Sequence, residues 1–82
     1  MTRTIIYKNK SYNGIFISIY KGIYDIYIDR QARLAILVGR KEVRAIVKLE
    51  TYQIDVPLDD EDDKFLDELE RLENRFEKEM YN

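Results

Sequence analysis

The stretch Ile15-Phe16-Ile17-Ser18-Ile19-Tyr20-Lys21-Gly22-Ile23-Tyr24-Asp25-Ile26-Tyr27-Ile28-Asp29 decides the fold. Ile15, Ile17 and Ile19 alternate onto one face of an extended run, and Lys21-Gly22 supplies a turn. In the second run Tyr24, Ile26 and Ile28 share a face, while Asp25, Tyr27 and Asp29 share the other. A period of two with polar residues on one side predicts an antiparallel hairpin, one face on a core and the other toward water.

Toward the N-terminus, Thr4-Ile5-Ile6-Tyr7 reads as a further strand, followed by the polar patch Lys8-Asn9-Lys10-Ser11. Asn13-Gly14 then reads as a tight turn, because both residues tolerate positive φ. On the other side, Arg30-Gln31-Ala32-Arg33 breaks the pattern and Leu34-Ala35-Ile36-Leu37-Val38 is a continuous apolar run suited to a buried strand. Gly39-Arg40-Lys41-Glu42 reads as a turn. Val43, Ala45, Val47 and Leu49 alternate as a strand would, although Val43, Ile46 and Val47 also fit a helical face. The strand is preferred because Thr51-Tyr52-Gln53-Ile54-Asp55-Val56 alternates too, with Pro57 closing it.

The final segment changes period. With Phe65 set at zero and about 100° per residue, Leu69, Leu72, Phe76 and Met80 fall within a stripe of about 80°, with Leu66 on its border. This predicts an amphipathic helix. Asp59 to Asp63 supply N-cap candidates and negative charge suited to a helix start, and Leu58 is placed as a hydrophobic staple. Asp60 with Lys64, Asp67 with Arg71 and Arg75 with Glu79 are opposite charges at four-residue spacing.

The expected fold is therefore α+β: a small antiparallel sheet of four to six strands followed by one acidic, amphipathic C-terminal helix. An SH3-like or partly open small barrel plus helix is the alternative. A chain of 82 residues is one domain, with residues 1–57 forming the sheet part and 58–82 the helix. Such a chain buries only about 60 to 65% of its unfolded surface, so its core needs close aliphatic packing or a second subunit. If the sheet leaves the stripe Phe65, Leu69, Leu72 and Phe76 uncovered, a homodimer through it is expected.

Composition excludes several function classes. With no cysteine there is neither disulfide nor thiolate metal site. With no histidine the commonest general base and metal ligand are missing, along with every Ser-His arrangement. Asp25 and Asp29 lie on one strand face but about 13 Å apart, too far for a glycosidase pair, and read as solvated carboxylates. The run Asp59-Asp60-Glu61-Asp62-Asp63 invites a calcium loop, but Lys64 stands where an EF-hand needs glycine. The three glycines are too dispersed for a phosphate loop. We therefore expect no enzyme, no metal and no cofactor. No segment approaches the roughly 18 apolar residues of a membrane span and no signal peptide is apparent, which points to the cytoplasm.

Charge is partitioned along the chain. Residues 1–58 carry ten Lys or Arg against five Asp or Glu, a net of +5; residues 59–82 carry four against eleven, a net of −7. On the helix, Asp63, Asp67, Glu70 and Glu77 gather opposite the apolar stripe and span about 21 Å. This strip suits a partner with a basic surface. Small acidic domains of this type occur among viral and mobile-element accessory proteins that inhibit a host nucleic-acid-binding or defence protein, as anti-CRISPR proteins do. The leading expectation is such a protein-interaction module. The alternative is a nucleic-acid-binding module using Arg30, Arg33, Arg40, Lys41 and Arg44, with Tyr20, Tyr24 and Tyr27 as stacking surfaces. A homo-oligomeric structural protein is the third.

Overall fold

The computed structural model describes residues 2–40, 42–49 and 63–80, with the side chains of residues 63–65 outside the description. The expectations placed on Lys41, on the run Thr51–Val56, on Pro57 and Leu58 and on the acids at 59–62 lie outside the described residues, as do the side chains of Asp63 and Phe65.

Five strands run in simple meander order, each antiparallel to its neighbour: β1 (Thr2–Tyr7), β2 (Lys10–Tyr20), β3 (Tyr24–Asp29), β4 (Leu34–Gly39) and β5 (Glu42–Lys48). One helix, α1 (Asp63–Met80), follows. The sheet curls into a half-barrel followed by one C-terminal helix, as the α+β reading expects. The preferred strand for the Val43 segment holds over β5.

Strand β2 explains the curl. Its N-terminal half pairs with β1, from Lys10 opposite Tyr7 to Ile15 opposite Thr2, and its C-terminal half pairs with β3, from Ile15 opposite Ile28 to Tyr20 opposite Tyr24. The two ladders overlap only at Ile15. The hairpin of β1 and the first half of β2 is thereby free to fold across one face of β3, β4 and β5, while α1 covers the other.

This corrects the Asn13-Gly14 turn. That dipeptide lies inside β2, and the turn sits at Lys8-Asn9, whose φ values of 50° and 64° suit a two-residue type I′ hairpin. Gly14 is there for closeness. A Cβ on it would lie 2.8 Å from Ile5 Cδ1 and 2.9 Å from Tyr27 Cβ, so only glycine lets the hairpin settle onto β3. The Lys21-Gly22 turn is present as read: both residues have positive φ and Ile23 N–H donates to the Tyr20 carbonyl at 3.3 Å.

Two cores result. On the helix side Tyr20, Ile26, Ile28, Ala35, Leu37, Val47 and Leu49 pack with Leu69, Leu72 and Phe76. On the other side Ile5, Tyr27, Ile36 and Val38 pack together, flanked by Tyr12, Phe16, Val43 and Ile46. Strand β4 lies between the two layers, which is why its run is apolar without alternation. The face carrying Asp25, Tyr27 and Asp29 is therefore covered at Tyr27 and Asp29, with Asp25 half-exposed at its end. Tyr27 is buried, with the Phe16 ring edge-on at 5.8 Å.

Two bulges redirect the alternation. The β2–β3 register slips between Phe16 and Ser18, so Ile17 stays with the helix side, Tyr20 joins it, and Ile19 turns away to become exposed. Ile15, Ile17 and Ile19 thus do not share a face. In β5 the register slips at Arg44, sending Val43 to the hairpin core but Ala45 and Val47 to the helix core.

Candidate functional site

The rotation of α1 about its axis decides what it shows to water. Leu72 and Phe76 are fully buried and Leu69 nearly so, all against the sheet, with Met80 partly covered. Burying three side chains of this size contributes about 1.5 to 3 kcal/mol each, enough to hold one orientation. The stripe predicted for packing or dimerisation is consumed within the chain at Leu69, Leu72 and Phe76. Leu66, on its border, stays half-exposed.

Asp67 and Glu70 are exposed on the outer side with Arg71, Asn74 and Lys78. Glu77 is also exposed but engaged: its carboxylate accepts from the Tyr20 hydroxyl at 3.3 Å and lies 3.7 Å from Lys21 Nζ. Burial, and then the Glu77 carboxylate, raise the Tyr20 phenol above its usual range. Glu77 therefore has a packing duty that its place in the acidic strip did not signal.

Glu73 belongs beside these residues although the sequence reading passed over it. It lies three residues from Glu70 and four from Glu77, at the border of the buried stripe, and is half-covered. Partial burial, and then the Glu70 charge, push its carboxyl above the ordinary glutamate value. The signal was available in its position on the helical wheel. Asp67, Glu70, Glu73 and Glu77 form a continuous acidic ridge between the outer face and the β2–β3 turn.

The basic residues do not gather in the same way. Arg30 and Arg33 lie on the turn between β3 and β4, whereas Arg40 and Arg44 lie at the opposite end of β4, roughly 17 Å away by strand length. Arg40 and Arg44 line an open cleft of about 240 Å³ with Ile23 and Tyr24, but Arg44 is held by Glu42 at 3.0 Å. Of the three expected stacking rings, Tyr20 and Tyr27 are buried on opposite sides of the sheet, and Tyr24, half-buried, packs against the helix-side core while lining that cleft. Tyrosine in these strands fills the two cores instead.

Asp29 is likewise not a solvated carboxylate. It is 6% exposed; one oxygen accepts from Asn13 N–H and the other from Ala32 N–H, both at 3.0 Å. It continues the β2–β3 ladder past Ile15 and pins the following turn. Among the described residues no three His, Cys, Asp or Glu side chains come together as a metal would need, and no helix is long and apolar enough to cross a membrane. No protein-family model, curated protein or solved structure matches the chain.

Proposed function

We propose that this chain is a non-enzymatic protein-interaction module that offers the acidic ridge of α1 to a basic surface on a partner protein. The observation that carries the reading is the burial of Leu69, Leu72 and Phe76, which turns Asp67 and Glu70 outward from a helix with no freedom to roll. A rigid row of carboxylates costs little further ordering on binding and gains from the field of an opposed basic patch. Surfaces that hold nucleic-acid phosphates have that chemistry, so an inhibitor occupying one, of the viral accessory type, is the partner relationship we favour.

The test uses a partner captured from host extract by the immobilised chain and then purified. Its affinity is measured for the native protein and for the reversal of Asp63, Asp67, Glu70 and Glu77 to lysine, at low and physiological salt. We expect at least tenfold weaker binding and a flattened salt dependence. Because Glu77 also engages Tyr20 and Lys21, a triple reversal that spares it separates loss of contact from loss of packing. Unchanged affinity in both variants refutes the acidic-ridge mechanism.

A further inference from the structure

The two edges of the sheet are not treated alike. Strand β5 bears an unpaired bulge residue at Arg44, exposed charges at Glu42, Arg44 and Lys48, and α1 packed beside it, all devices that keep another strand from joining an edge. Among the described residues β1 has no bulge, and Arg3 is the one exposed charge within it. It is regular from Thr2 to Tyr7, and its Ile6 is 73% exposed, the most exposed large apolar side chain among the described residues. Beside it lies an open cleft of about 430 Å³ bounded by Arg3, Ile5, Ile6, Tyr7 and Lys8 on one side and Val38, Glu42 and Val43 on the other. That volume is within the range of ligand clefts.

The charges at this edge specify the occupant. Arg3 donates to the Tyr27 hydroxyl at 3.3 Å and lies over the Tyr27 ring at 5.7 Å, while Lys8 Nζ lies 5.3 Å from the centre of the Tyr7 ring. Neither meets a carboxylate among the described residues. Glu42, the one acid among the described residues lining the cleft, is already paired with Arg44 at 3.0 Å. Among the described residues, two cations are thus held against aromatic rings at the two ends of an edge strand with no carboxylate paired to either.

We propose that β1 is a strand-addition site that accepts an extended segment of a partner protein carrying acidic residues near both ends. Main-chain bonds to the edge of β1 give the affinity, Ile6 gives apolar cover, and Arg3 and Lys8 set the sign of the ligand. This site is separate from the acidic ridge and does not depend on it.

The probe is a fluorescein-labelled peptide alternating threonine and valine with a glutamate near each end. Its controls are the same peptide with lysine for glutamate and with proline at its centre. Anisotropy at low salt should show binding of the acidic peptide and at least tenfold weaker binding of both controls. Ile6→Lys, an exposed edge substitution, and the pair Arg3→Glu with Lys8→Glu should each weaken it at least tenfold, whereas Asp67→Lys with Glu70→Lys should not. Hydrogen exchange should show new amide protection in Thr2–Tyr7. The proposal is overturned if the acidic peptide does not bind, if the proline peptide binds equally well, or if the new protection falls on Glu42–Lys48. It is also overturned if sedimentation shows a dimer abolished by Ile6→Lys that the acidic peptide cannot compete away, since the occupant is then a second copy of this chain.

Discussion

Replacing Gly14 with alanine tests the folded-over hairpin directly. The new methyl would meet Ile5 Cδ1 at 2.8 Å, Tyr27 Cβ at 2.9 Å and Tyr27 Cδ1 at 3.1 Å. The first is the end of a flexible side chain; the second is anchored next to the backbone of a central strand and cannot give way cheaply. Overpacking of this kind costs about 1 to 3 kcal/mol, so we expect about 2 kcal/mol for Gly14→Ala. For a domain of this size that lowers the melting temperature by about 8 to 16 °C. Ile5→Val removes the offending Cδ1 at its own cost of about 1 kcal/mol. The double variant should then be more stable than the sum of the two losses implies, by about 1 kcal/mol, with the Tyr27 contact accounting for what is not recovered. Urea and thermal melts followed by circular dichroism supply all four corners of the cycle. A hairpin turn at Asn13-Gly14 makes a different prediction, since the cost then arises from backbone conformation and is indifferent to Ile5. Additivity within about 0.5 kcal/mol, or a Gly14→Ala variant as stable as the native chain, would refute the strand-corner geometry.

Three further outcomes follow from the packing. Asp29→Asn should lower stability by about 1 to 3 kcal/mol in a urea melt, because at this buried side chain an amide nitrogen replaces one of two oxygens that each accept from a main-chain N–H. Phe76→Ala should cost about 3 to 5 kcal/mol, with loss of helical circular dichroism at a lower temperature than the native protein shows. The carboxyl of Glu73 holds its proton more tightly folded than unfolded, so it supports folding at acid pH and loses that support as pH rises from the ordinary value of 4.5 through the raised one. Glu73→Gln should accordingly match the native protein at about pH 3 and melt at a higher temperature near pH 7, and a gain confined to acid pH would contradict the cause assigned.

The acidic ridge was legible because a helix couples position to direction every 3.6 residues, so Asp67, Glu70 and Glu77 could be assigned to one side from spacing alone. The apolar stripe was legible for the same reason, but its partner was not. Whether Leu69, Leu72 and Phe76 meet a sheet or a second copy depends on the apolar area the sheet presents, which is set by strands distant in sequence. The basic residues illustrate the converse: Arg30 and Arg33 are near Arg40 and Arg44 in the chain, yet an intervening strand carries them to opposite ends of the sheet.

Alone, the amino-acid sequence determined the α+β class, most of the strands, the helix and the partition of charge, since these rest on local periodicity and turn chemistry. The tertiary structure decided where β2 folds, and with it why Gly14 is a glycine and why Tyr27 and Asp29 are inside. A bulge shifts every later side chain in its strand to the other face, and a fold at a strand corner covers a face that alternation assigns to water. Both effects arise from contacts between residues far apart in the chain, such as Ile5 with Tyr27 and Asn13 with Asp29, and no local pattern encodes them.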